Sequence, residues 1–284
     1  MRHAIRFLAA AVVLATVGAG AAPAGIIGTE DFAYADGPIA GQTGGTGFDY
    51  DNTTENDPFI GHTGTTSDWT NVGGTPQVQS GALTTDGSNS AKREYNGPTE
   101  GVTGTDERYG AINQDGSRDA HIVFYAVDMT RAAGNSAWGG MSSYDFGAER
   151  IFFGVPGGEA GTDRIGIQES GVGTDYGSIY LTDGQTYRMV AVLDFDNDLL
   201  GLFVDPDGSD YWDPATGANT ADVTRGYTNT NWSTAVRLGS GSLVTWDNLV
   251  VATAPEDVGL LPEPATLALL AVGGLGLALK RRRA

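Results

Sequence analysis

From Tyr187 to Phe195 the chain alternates in a way that fixes its local structure. Tyr187, Met189, Ala191, Leu193 and Phe195 fall on one face of an extended strand, and Val190 and Val192 fall on the other. Apolar residues on both faces predict a central strand. Asn197-Asp198 supplies a turn, Leu199 to Val204 returns as a hairpin partner, and Asp205-Pro206-Asp207-Gly208 ends it with turn chemistry. Shorter runs of the same kind are His121–Met129, Glu149–Val155, Arg164–Gln168, Ser178–Leu181, Ala235–Leu238 and Leu243–Ala252. Gly, Asp, Asn and Pro bound them, and no stretch of residues 25–261 holds a helical apolar period. Many short strands at near-regular spacing predict an all-β sandwich or jelly roll over residues 25–253. Residues 36–75 and 205–234 read as long loops anchored by aromatics, and 254–261 reads as a linker.

The two ends follow a different pattern. Arg2 and Arg6 precede an apolar run from Phe7 to Val17, and small residues at 19–24 offer cleavage sites, so residues 1–24 read as a secretory signal peptide. The n-region has no Arg-Arg pair, which favours the general export route. At the other end stand Pro262-Glu263-Pro264, an uncharged run from Ala265 to Leu279, and the basic stop Lys280, Arg281, Arg282, Arg283. Fifteen residues of helix reach roughly 22 Å, short of a bilayer core of about 30 Å. Gly273, Gly274 and Gly276 weaken that helix further. The segment therefore reads as a short transmembrane helix with a transient role, its basic end cytoplasmic. A plain permanent anchor is the alternative.

Residues 262–284 resemble the PEP-CTERM sorting signal of bacteria with an outer membrane. The resemblance rests on Pro262-Glu263-Pro264, the Ala265-Thr266 that follows, the apolar run and the terminal arginines. It implies processing by an exosortase and delivery to the cell envelope, cell surface or extracellular polysaccharide. A second, looser resemblance is to concanavalin A-like (laminin G-like) exported proteins. It rests on Asp31 to Gly37 with Gly41 to Gly47, the hairpin Val190–Pro206, and Trp246-Asp247-Asn248-Leu249-Val250-Val251. That resemblance implies a concanavalin A-like jelly-roll sandwich whose closing strand lies beside its opening one.

Composition narrows the partners. There are no cysteines, so an exported domain of this chain has no disulfide framework. Without Arg2, Arg6, the four tail cations and Glu263, 10 basic and 34 acidic residues remain, a formal charge of −24. Such a charge opposes nucleic acid and other polyanions and attracts divalent cations.

Candidate chemistry is sparse. Laminarinase-type enzymes of the concanavalin-like fold carry Glu-x-Asp-x-x-Glu on one strand. Here Glu55-Asn56-Asp57 is followed by Pro58, and Ile60 stands where the third acid belongs. There is no Gly-x-Ser-x-Gly elbow, and His3, His62 and His121 are too scattered for a zinc site. The expectation is a non-enzymatic protein with no cofactor, a glycan hydrolase and a ligand-free matrix protein being the alternatives. Calcium has two candidate sites. One is Asp194, Asp196 and Asp198 with Asp205, where Leu199 replaces the EF-hand glycine. The other is the loop Asp205, Asp207, Asp210, Asp213. For both, solvated turn-forming acids are the simpler reading. Sugar rings stack on exposed aromatics, so Tyr211 with Trp212 in a polar loop, and Trp138 with Tyr144, are candidates for polysaccharide binding, against an ordinary packing role.

Overall fold

The computed structural model describes residues 25–46, 48, 67–95, 122–134, 137–145, 148–157, 163–227, 233 and 235–261. The expected signal peptide, the motif 262–264 with its apolar and basic segments, Glu55-Asn56-Asp57, His62 and His121 lie outside these residues. The strands in chain order begin with β1 (Ile26–Glu30), β2 (Gly37–Pro38), β3 (Thr70–Gly73), β4 (Gln77–Gln79), β5 (Ala82–Thr85) and β6 (Ser90–Glu94). Next come β7 (Ile122–Arg131), β8 (Gly139–Asp145), β9 (Ala148–Val155), β10 (Arg164–Glu169) and β11 (Gly173–Tyr180). The last are β12 (Thr186–Asp194), β13 (Leu199–Val204), β14 (Val223–Gly226), β15 (Ala235–Ser240) and β16 (Val244–Ala252).

These strands form an antiparallel sandwich. One sheet runs β14-β13-β12-β7-β16-β5-β4-β2, with β1 also paired to β16; the other runs β11-β10-β9-β8-β15-β6-β3. The hairpin β12–β13 forms where the alternation places it, and β12 lies between β7 and β13 inside its sheet. The closing strand does lie beside the opening one. A bulge at Asn248, whose φ is 51°, lets β16 pair with β5 before it and with β1 after it.

Alternation sorts the side chains into layers. Val123, Tyr125, Val127 and Met129 of β7 and Tyr187, Met189, Ala191 and Leu193 of β12 share the main core with Ile151, Phe153, Ile165, Ile167, Val236 and Leu238 of the other sheet. The opposite face of the larger sheet is also apolar. Ile122, Phe124, Ala126, Val190, Val192 and Phe203 form a second cluster with Trp212, Val258 and Leu260. This second cluster is why both faces of β12 read as apolar.

Polar groups tie the two sheets together. Glu30 of β1 and Arg93 of β6 pair at 2.5 Å with both side chains fully buried. The Glu30 carboxylate also accepts from Phe32 N (2.9 Å), Tyr34 Oη (2.6 Å) and Trp69 Nε1 (3.1 Å), and Arg93 lies 4.2 Å from the centre of the Phe48 ring. Those donors satisfy a charge that would otherwise be costly to bury. Burial holds the Arg93 guanidinium below its ordinary pKa and pushes the Tyr34 hydroxyl above its own.

Three parts differ from the sequence reading. Residues 254–261 are not a linker. Pro255–Val258 form a 3₁₀ turn ended by Gly259 at φ 89°, and Leu261 N donates to Asp210 O at 2.7 Å. Val258 and Leu260 are 4% and 2% exposed, because they cover apolar residues of the larger sheet that water would otherwise wet. Burying the two side chains contributes roughly 3–6 kcal/mol at most. The insertion 205–234 contains the edge strand β14, which carries Arg225 to Asp175 of β11 at 2.8 Å and so closes one side of the sandwich. β5 and β6 also form, although their sequences ALTT and SAKRE carry no apolar run.

Candidate functional site

The outer face of the seven-stranded sheet carries one row of side chains, three polar and one aromatic, and one bare row. In the first, Gln168 (β10), Phe152 (β9), Ser142 (β8) and Arg237 (β15) are successive cross-strand partners. Two residues along each strand the partners are Gly166, Gly154, Gly140 and Gly239. The period of two puts both rows on one face. Four glycines in register leave room for neighbouring side chains to lie flat on the sheet. A Cβ on Gly140 would stand 2.5 Å from Phe152 Cζ, so the Phe152 ring occupies the space that glycine vacates.

Trp138 completes the site from the turn before β8. Its carbonyl accepts from Gly241 N at 2.8 Å, and a Cβ on Gly241 would stand 2.8 Å from Trp138 Nε1. The indole meets Phe152 edge-on at 6.1 Å between centres. Together Trp138, Glu149, Phe152, Gly157, Gln168 and Arg237 line a pocket of about 200 Å³.

Arg237 organises its polar side. The guanidinium carbon lies 5.1 Å from the centre of the Trp138 ring and 5.9 Å from that of Tyr144. Its Nη1 donates to Glu149 Oε1 at 2.7 Å, which also accepts from Ser142 Oγ at 2.5 Å. Burial raises the Tyr144 hydroxyl above its ordinary pKa, and the nearby Arg237 works in the opposite direction. Tyr144 is 5% exposed, so it backs Arg237 and does not face solvent. The pocket thus has an aromatic wall, a cation fixed by a carboxylate, and the amide of Gln168.

The structure brings Trp138 and Tyr144 together through an arginine that the sequence reading did not single out. It also missed Phe152, Glu149 and Gln168. The available signal was the arginine inside the strand Ala235–Ser240 and the glycines at matching places in four strands.

The other aromatic pair is placed differently. Trp212 is fully buried, which corrects its reading as a sugar-stacking residue. Its Nε1 donates to Asp194 Oδ2 at 2.8 Å, its ring meets Phe203 edge-on at 6.4 Å, and a Cβ on Gly201 would stand 2.3 Å from its Cζ3. The indole is a plug over the larger sheet. Tyr211 is half-buried and bridged to Leu261.

The loop acids bind their own backbone. Asp205 accepts from Arg188 N (2.7 Å), Asp207 from Ser209 N (2.7 Å), Asp210 from Asp207 N (2.8 Å) and Asp213 from Ala215 N (2.8 Å). The bonds from Ser209 hold the Asp207 carboxyl below the ordinary range. Asp194 accepts from Asn197 N at 3.1 Å as well as from Trp212, and burial raises its carboxyl above the ordinary range. Among the described residues no three His, Cys, Asp or Glu side chains converge to hold a metal. Neither set of acids proposed for calcium is therefore gathered around a point.

Several solved structures match part of the chain at low identity. A Trypanosoma rangeli sialidase in complex with the inhibitor DANA matches 83% of this chain and 32% of its own, at 11% identity and a TM-score of 0.44. The CBM2 module of the evolved Dit of Lactobacillus casei BL23 phage J-1 matches 64% and 80%, at 12% and 0.40. The galectin LEC-6 of Caenorhabditis elegans matches 45% and 81%, at 13% and 0.31. The chain spans between 17% and 32% of the sialidase chains it matches. No curated protein sequence matches the chain. Among the described residues no helix is long and apolar enough to cross a membrane. One sequence family does match, over residues 261–283, and by it the chain carries a PEP-CTERM protein-sorting motif behind its β-sandwich.

Proposed function

We propose that this is an exported, exosortase-sorted surface or matrix protein whose sandwich binds polysaccharide without cleaving it. The sorting motif supports the first half of this reading. It implies export to the envelope or surface of a bacterium with an outer membrane, and an exosortase as processing partner. The apolar segment 265–279 would hold the protein in the inner membrane only until processing.

The Trp138 pocket supports the second half. An aromatic wall beside an amide and a fixed guanidinium is the chemistry that holds a pyranose: the indole stacks on the C–H face, and the polar groups bond the hydroxyls. At about 200 Å³ the pocket admits one ring, with the rest of a polymer running along the sheet. Most glycoside hydrolases use two facing carboxylates. Of the described residues lining this pocket only Glu149 is acidic, and it is engaged with Arg237 and Ser142.

The test is a polysaccharide panel presented to the purified domain. Retention by at least one glycan, weakened on the order of tenfold by Trp138→Ala and unchanged by Tyr211→Ala, is the expected result. Release of oligosaccharides would replace this reading with a glycan-active enzyme. Silence on the whole panel would favour a matrix component without a ligand.

A further inference from the structure

The last described residues before the sorting motif are folded into the sandwich. Leu260 N donates to Pro255 O at 3.0 Å, Leu261 N donates to Asp210 O at 2.7 Å, and Leu261 forms a parallel bridge with Tyr211. Val258 and Leu260 pack into the cluster of Phe124, Val190, Val192, Phe203 and Trp212. Pro262, the first residue of the Pro-Glu-Pro motif, follows with no intervening residue.

This leaves little free chain. Between Leu261 and the apolar run that starts at Ala265 stand three residues. Fully extended, the span covers about 10–14 Å. A peptide recognised as an extended strand is held through its main-chain hydrogen bonds, so the residues beside the motif must have free backbone. On the upstream side that backbone is already bonded to Asp210 and fixed by two buried aliphatic side chains.

We propose that Pro255–Leu261 is a latch seated on the apolar face of the larger sheet, and that its docking withholds the adjoining motif from the sorting enzyme. The occupant of that face is the chain's own segment. Release of residues 255–261 exposes the upstream flank of Pro262-Glu263-Pro264, and processing proceeds from the released state. Because the docked state dominates, processing is slow relative to folding. The domain is consequently folded before the tail is cut. The inference rests on the reading of residues 262–264 as a processing signal.

The experiment follows conversion of full-length precursor to mature protein, by pulse-chase and mass, in a host carrying the exosortase. A flexible Gly-Ser spacer of six residues between Leu261 and Pro262 leaves every contact of the latch intact and supplies free backbone. It should speed conversion by roughly tenfold or more. Leu260→Asp should speed it similarly by undocking the latch; the spacer variant carries the test if that substitution impairs folding. Unchanged or slower conversion with the spacer would overturn the latch. Pro262→Ala with Pro264→Ala is run in parallel. If that variant is still processed at the normal rate, the sorting reading itself fails. If it is blocked while the spacer has no effect, only the latch fails.

Discussion

The outer face of the nine-stranded sheet carries Ile122, Phe124, Val190, Val192 and Phe203, and Trp212, Val258 and Leu260 cover it. The outer face of the seven-stranded sheet carries Ser142, Phe152, Gln168 and Arg237 beside a row of glycines, and it keeps a pocket. Each face uses a tryptophan from a turn or loop. On the first, the indole is a lid whose N–H goes to a buried carboxylate; on the second, it is a wall whose neighbour is a cation. The difference follows from the sheet beneath. An apolar outer face must be covered, because leaving it wet costs about 25 cal/mol per Å². A face of glycine, serine, glutamine and arginine makes less of that demand; Ser142, Phe152 and Arg237 are themselves largely buried, and what stays accessible is the pocket beside Trp138.

The comparison breaks most sharply at Trp212. Trp212→Ala should destabilise the domain by about 3–5 kcal/mol in urea denaturation, because it opens a cavity and removes one of the donors to the buried Asp194 carboxylate. Glycan retention by the folded fraction should not change. Trp138→Ala should do the reverse. Its stability cost should stay within about 1–2 kcal/mol while binding falls. Equal losses of stability in the two variants would erase the distinction between lid and wall.

A pH series sharpens the same contrast. Burial raises the Asp194 carboxyl, so the folded protein keeps a proton that the unfolded chain has already released. Stability therefore falls as pH rises from the ordinary aspartate range through the raised folded value, and this contribution is constant above it. Asp194→Asn should remove that part of the slope in melting temperature against pH. Identical slopes in the two proteins would mean that Asp194 does not titrate under the Trp212 lid. The smallest effect concerns calcium. Asp205, Asp207, Asp210 and Asp213 are occupied with turn backbone, so excess Ca²⁺ followed by EDTA should move the melting midpoint by less than about 1 °C. A shift of several degrees would show that the loop gathers its acids around an ion.

Much of the scaffold was legible because alternation is a local property. Tyr187 to Val204 announced a central strand and its hairpin partner through period and turn residues alone. β5 and β6 were not legible, since Thr84, Thr85, Ser90 and Arg93 are buried only by what packs against them. Arg93 reads as a surface residue until Glu30 arrives from another strand, 63 positions away. In sequence Tyr211 with Trp212 is the first candidate and Trp138 with Tyr144 the second, each pair set among small and polar residues. Nothing local distinguishes a loop that folds back over a sheet from one that stands beside it.

The sequence by itself determined the all-β character, the hairpin at residues 190–204 and the sorting motif at 261–283. These depend on residue order over short spans, which a strand period or a short linear signal needs and no more. Tertiary structure alone decided that Trp212 is sealed, that Trp138 meets Arg237, and that residues 254–261 are docked instead of free. Each of those outcomes is set by apolar area and hydrogen-bond partners supplied from distant strands, and burial is a property of the assembled sheets.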